Sequence, residues 1–144
     1  MRIALVAEDY YPQVGGVPEH AHHLALQLHA RGHVAEIYTS HMEAPWDDAP
    51  FVRRIGTSRV IQANAGVSRI TTGWGLRRGL AEQFRRGRYD VVHVQGGLAP
   101  TFGVLAPLAA GDAGIPVVAT FHSWFPRSAG YRILQVQARP EDRS

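Results

Sequence analysis

The chain contains neither cysteine nor lysine in its 144 residues. The first absence excludes a disulfide framework, a thiolate metal site and a cysteine nucleophile. The second excludes a Schiff-base lysine, a phosphate loop of the G-x-x-x-x-G-K type and a Ser–Lys pair. All 15 basic residues are therefore arginine. The net charge of +3 is too small to argue for a nucleic-acid partner, and the arginine usage reads as codon bias. Long apolar runs are also missing. Gly and Pro cut each one short of the roughly 18 residues that a spanning helix needs. The run after Arg2, "IALVA", stops at Glu8, so nothing resembles a secretory leader. The expected location is cytoplasmic.

What is present suffices for one core. With 45% hydrophobic residues, a chain of this length can fold as one globular unit without staples. Short apolar runs alternate with helical patterns. "RIALVAE" (2–8) reads as a buried strand, residues 17–31 as a helix closed by Gly32, and "HVAEIYTS" (33–40) as a second strand. A polar, Pro-broken loop follows, then one or two short strands over 51–62. Residues 72–89 carry Leu76, Leu80 and Phe84 on one helical stripe. A strand at 90–95, a helix at 98–111 and a strand at 115–122 complete the series. This order predicts an α/β fold, a Rossmann-like parallel sheet with helices on both faces. "YRILQ" starts like another helix, but "VQARPEDRS" adds no strand. The chain thus reads as truncated in mid-fold, with a domain over 1–134 and a tail over 135–144.

The stretch "YYPQVGGVPEHAHHLALQL" places Gly15 and Gly16 where the first strand hands over to the first helix. Glycine lets backbone approach a ligand closely, and the free N–H groups of a first helical turn favour an anion. Two familiar phosphate sites fit poorly. A dinucleotide fingerprint wants G-x-G-x-x-G and an acidic residue ending the second strand, where this chain has Thr39-Ser40-His41. A phosphate loop wants the missing lysine. A plain turn and an anion site of another kind both remain open on the pattern alone.

Four segments in register add a resemblance. "P-x-x-G-G-V-x-x-H" (Pro12 to His20), "LALQLHARGH", "YDVVHVQGGLAP" and "IPVVATFH" resemble the N-terminal half of retaining GT-B glycosyltransferases of family four, a group that includes phosphatidylinositol mannosyltransferases. The likeness covers about residues 1–134. It implies a Rossmann-like acceptor-side domain of an enzyme that moves a sugar from a nucleotide donor, such as a GDP- or UDP-sugar, with retention and without a metal. By the same resemblance, Gly15, Gly16 and Val17 form the loop over the donor diphosphate. His122 lines the reacting centre as the catalytic candidate, and His20 lies on the acceptor side. Asn64, Val67 and Arg69 match an "N-x-x-V-x-R" stretch that contacts a phosphorylated acceptor, a task for which the planar arginine fork is suited. Arg127 is a further acceptor candidate. The chain departs from the family pattern at Pro18 and at Gly96-Gly97. In the family a second domain supplies the nucleoside pocket, a basic pair and an E-x7-E element. Donor binding and transfer are therefore expected to fail for this chain by itself.

The remaining histidines and arginines have plainer readings. His20, Ala21, Leu24 and Leu28 share the helix face turned to the sheet, while His22 and His29 fall on a flank. No carboxylate or cysteine completes a zinc set with them. His93, alternating with valines, reads as a satisfied core histidine. Glu82 stands four residues from both Arg78 and Arg86, which reads as a solvated, paired face; an anionic membrane surface is the alternative. Two other function classes stay open. One is a binding module for a phosphorylated or glycan acceptor, or a subunit completed by a separate C-terminal half. The other is a different Rossmann nucleotide binder, against which Thr39-Ser40-His41 speaks. An exposed apolar edge would also allow a homodimer.

Overall fold

The opening apolar run forms β1 (Arg2–Ala7), and every residue after Arg2 in it is buried. It can be apolar throughout because both faces of a central parallel strand are covered. In the computed structural model, which describes residues 1–42, 46–63, 66–96 and 101–122, eight further elements follow. They are α1 (Gly16–Ala30), β2 (Val34–His41), β3 (Val52–Ala63), β4 (Gly66–Thr72), α2 (Leu76–Gly87), β5 (Val91–Gln95), α3 (Phe102–Asp112) and β6 (Val117–Thr120). The strands make one six-stranded sheet in the order β4-β3-β2-β1-β5-β6.

Strand alternation sorts the side chains onto two cores. Ile3, Leu5 and Ala7 face α1, where Ala21 and Ala25 are wholly buried and let the helix approach the sheet closely. Ala4, Val6, Val92 and Val94 face the other way, against Leu76, Leu80 and Phe84 of α2 and Phe102, Ala106 and Ala109 of α3. The expected stripe at 76, 80 and 84 thus lands in the core, where each large side chain contributes about 1.5–3 kcal/mol. Helices cover both faces, as the alternating pattern requires.

One pairing differs from the all-parallel expectation. β1 pairs in parallel with β2 and β5, β2 with β3, and β5 with β6, whereas β3 and β4 are antiparallel. Only residues 64 and 65 separate β3 from β4, too few for the crossover that a parallel pair needs. The region around 51–62 is therefore one long strand that turns back on itself. Between the pairs Thr39↔Arg54 and His41↔Thr57, β3 holds one more residue than β2. That bulge contains Gly56 at φ 68°, the left-handed backbone that glycine adopts without strain. Beyond it, β3 runs past the end of β2, so the hairpin overhangs the carboxyl end of the sheet.

Candidate functional site

The loop that reaches α1 is held at two neighbouring residues, Tyr10 and Tyr11. Tyr10 is buried, with its hydroxyl 2.7 Å from Nδ1 of His22. Arg54, half-buried on β3, donates to the carbonyl of Tyr11 at 2.6 Å and of Ser40 at 2.7 Å. It also clasps Asp48 in a bidentate pair at 2.6 and 2.7 Å, the strong geometry for an arginine and a carboxylate. The chain then enters α1 at Gly15, whose backbone is fully extended at φ 171°. Among the described residues no side chain caps this helix start. Pro18 lacks an N–H, so the free first-turn donors are those of Gly16 and Val17.

Neither glycine here is demanded by its surroundings. Extended or helical backbone suits any residue, and a Cβ on Gly16 would meet nothing within 4 Å among the described residues. On Gly15 it would meet only Cδ of Pro18, at an ordinary 3.6 Å.

One turn further, His20 projects to the surface and contacts His122 edge-on, with ring centroids 4.9 Å apart. It is exposed rather than packed on the sheet; Ala21 and Ala25 take that place, with Leu24 and Leu28 half-buried beside them. His122 follows β6 and extends the alternation of Val118 and Thr120, which share the α1 face with His93 and Gln95 of β5 through the pairs His93↔Val118 and Gln95↔Thr120. A chain of hydrogen bonds joins them. His122 Nε2 lies 2.9 Å from Gln95 Oε1, Gln95 Nε2 lies 3.1 Å from His93 Nε2, and His93 Nε2 lies 2.8 Å from Thr120 Oγ1. His93 is therefore hydrogen-bonded as expected, but half-buried and wired to the site rather than set in the core. Partial desolvation lowers the proton affinity of both His93 and His122, with His20 adding to the effect on each. Both rings are neutral at neutral pH, which leaves His122 able to accept a hydrogen bond from a hydroxyl.

Glu8 occupies the other face at the same end. Its carboxylate accepts from the backbone N–H of Phe102 at 2.8 Å, at the start of α3, and from the hydroxyl of Thr71 on β4. Burial pushes its proton affinity up, against the pull of those two hydrogen bonds. Sequence reading singled out neither Glu8 nor Gln95. The spacing H-x-Q in β5 and T-x-H at 120–122 was the available signal, since residues two apart on a strand share a face.

Gly15, Gly16, Val17 and His20 thus follow β1 and His122 follows β6, all at the carboxyl ends of parallel strands, where open α/β sheets place ligands, and the contact of His20 with His122 joins the two segments. Arg69 lies on β4 opposite Val60, at the same end of the sheet but on the opposite edge from β6. Asn64 and Arg127 lie outside the described residues. His22 and His29 are engaged within the fold, His29 accepting from the N–H of Ala35 at 3.2 Å. On α2, Glu82 pairs with Arg86 at 2.8 Å and with Arg85 at 3.9 Å, and Arg77 clasps Asp112 of α3 at 2.6 and 2.7 Å.

Residues 14–143 match the family described as Glycosyltransferase Family 4. The chain belongs to that family. This family 4 chain is 30% identical over 143 residues to a phosphatidyl-myo-inositol mannosyltransferase of Mycolicibacterium smegmatis, which covers 97% of the chain and 35% of the relative. A protein of the same name from Mycobacterium tuberculosis H37Rv is 30% identical, over 97% of the chain and 36% of the relative. One from Propionibacterium freudenreichii is 31% identical over 139 residues, 92% of the chain and 35% of the relative. The family 4 chain therefore spans about a third of the length of these relatives. Among its described residues, no helix is long and apolar enough to cross a membrane.

Proposed function

We propose that this chain is the acceptor-side part of a hexosyltransferase that takes a sugar from a nucleotide donor, of the GDP- or UDP-sugar class, and transfers it with retention. The observation that carries the reading is the open pair Gly15–Gly16 ahead of the uncapped N–H groups of α1, facing the side on which His20 and His122 meet. A diphosphate laid across that helix start receives the N–H groups of Gly16 and Val17 and the positive end of the helix dipole. Glycine at both positions lets the phosphates come close. The neutral ring of His122 accepts a hydrogen bond from a hydroxyl of the transferred sugar or the acceptor. His20 borders the acceptor, Asn64 and Arg69 contact its phosphate, and Arg69 and Arg127 offer planar cations suited to that charge. The mannosyltransferase names of the relatives support a phosphoinositol-type lipid as acceptor. The exposed arginines of α2, next to the fully exposed Trp74, support peripheral contact with an anionic cytoplasmic membrane face. No metal is needed, because the backbone and arginine donors carry the charge matching. Donor binding and transfer require residues beyond these 144.

The test is sugar transfer by the whole protein that contains this chain, from GDP- and UDP-sugars to phosphoinositol lipids. The product's anomeric configuration is read by NMR. Transfer with the donor's configuration kept is expected. Failure of the whole protein to consume any nucleotide sugar overturns the enzyme reading, and transfer by the 144 residues alone overturns the division of labour.

A further inference from the structure

The hydrogen-bond chain behind His122 has no part in the reading above, and it consists of side chains that the fold holds firmly. Gln95 is 3% exposed, between Ala7 of β1 and Thr120 of β6 in the sheet register. A primary amide buried to that degree cannot rely on water, so both of its ends need partners within the protein. Both have them. Its carbonyl oxygen sits 2.9 Å from Nε2 of His122, and its amino group sits 3.1 Å from Nε2 of His93. Thr120 Oγ1 lies 2.8 Å from that same nitrogen of His93. The amide is thus gripped at one end by a half-buried ring and presents a fixed oxygen to the other.

We propose that Gln95 is a positioning residue, whose side-chain carbonyl accepts the Nε2 proton of His122 and so fixes that ring's orientation and tautomer, leaving Nδ1 as its free lone pair. An imidazole in its neutral form has one donor and one acceptor nitrogen, and the partner of one nitrogen decides the role of the other. With Nε2–H committed to Gln95, the opposite nitrogen can only accept. The ring contact with His20 limits the swing of His122 from the front but selects neither nitrogen. Selection therefore comes from behind, through Gln95, with His93 and Thr120 as its anchors. The inference rests on the reading of His122 as a site residue.

Histidine ¹⁵N NMR tests it, using long-range couplings to identify which ring nitrogen carries the proton. In the unaltered protein, neutral His122 is expected to carry its proton on Nε2, with an N–H signal protected from rapid exchange. Gln95→Leu, close to glutamine in size, should lose that protected signal. Gln95→Glu, which keeps an acceptor oxygen at the same reach, should retain it. In the whole protein, Gln95→Leu should lower kcat on the order of a hundredfold with the donor KM unchanged, and Gln95→Glu should lose much less. A proton on Nδ1 of His122 in the unaltered protein overturns the proposal, as does a protected Nε2–H that persists in Gln95→Leu. Equal kcat losses in the two variants also overturn it. Should Gln95→Leu fail to fold, the tautomer of the unaltered protein and the Glu variant still decide. If the whole protein transfers no sugar, the enzyme reading falls while the NMR result for Gln95 stands.

Discussion

Gly56 in the β3 bulge and Gly15–Gly16 before α1 are both glycine turns at the carboxyl half of the sheet, yet they owe their glycine to different causes. At Gly56 the backbone is left-handed, and a Cβ would stand 2.6 Å from Cγ2 of Thr71 and 2.9 Å from the carbonyl oxygen of Thr72. The fold itself forbids a side chain there. At Gly16 neither the backbone nor any described neighbour does. On the proposed function, the missing side chain at Gly16 leaves room for the donor phosphates. The bulge is architecture; the loop, on that proposal, is a place of contact.

Substitution separates the two cases. Gly56→Ala adds left-handed strain and an overlap with backbone, so it should destabilise the fold by about 3 kcal/mol in denaturant unfolding. Gly16→Ala should shift the same midpoint by no more than about 0.5 kcal/mol. In the whole protein, however, it should reduce sugar transfer on the order of a hundredfold. A Gly16→Ala protein that loses stability as Gly56→Ala does would erase the distinction.

A smaller effect belongs to the clasp between the hairpin and the centre of the sheet. Thr71→Val removes the hydroxyl that Glu8 accepts from and leaves a buried carboxylate with one donor fewer, a loss of roughly 1–3 kcal/mol. Thr72→Val, one residue on, alters an exposed bond and should stay near zero. Equal losses at the two positions would mean that the clasp contributes nothing of its own.

The smallest effect is a change of slope with pH. Desolvation holds His93 and His122 below their ordinary value of 6.5. As the pH falls below 6.5 the unfolded chain takes up protons that the folded rings refuse. The unfolded state binds more protons in that window, so stability falls with acidification there and levels off below the folded values. Glu8 acts with the opposite sign: raised by burial above 4.5, it favours the folded state on the acid side, and that contribution is lost as the pH rises through its folded value. His122→Asn should therefore flatten the decline below pH 6.5. An identical decline in the variant would remove His122 from the account.

Much of the fold was legible because it obeys simple periods. Short apolar runs gave β1, β2, β5 and β6, and the stripe Leu76, Leu80 and Phe84 gave α2 its buried face. The β3–β4 hairpin was not readable as such, since "VRRIGTSRVIQ" is polar in most positions and no hydrophobic pattern marks its antiparallel partner. Gly15, Gly16 and His122 were found from motif and position at strand ends. Gln95 was missed, and His93 was read as a core residue only, because what links them to the candidate site, Thr120 and His122, arrives from a strand beyond α3. Glu8 shows the same limit more strongly: its partners Thr71 and Phe102 lie far along the chain, on elements that only the folded sheet brings together.

The grip of Arg54 on Tyr11, Ser40 and Asp48 bears on the order in which the molecule assembles. The segment leading to Gly15 lies close in sequence to β1 and α1, so those neighbours can form early from local contacts. Its own shape, though, waits for an arginine four decades of numbering away. Until the third strand docks, the loop before α1 has a helix behind it and no fixed path into it. Conversely, a partial opening that peels β3 from β2 releases the loop while β1, α1 and β5 stay closed. Amide exchange at Gln13, whose N–H is bonded to the carbonyl of Tyr10, should therefore keep time with β3 rather than with the helix beside it, making β3 the clock for that loop.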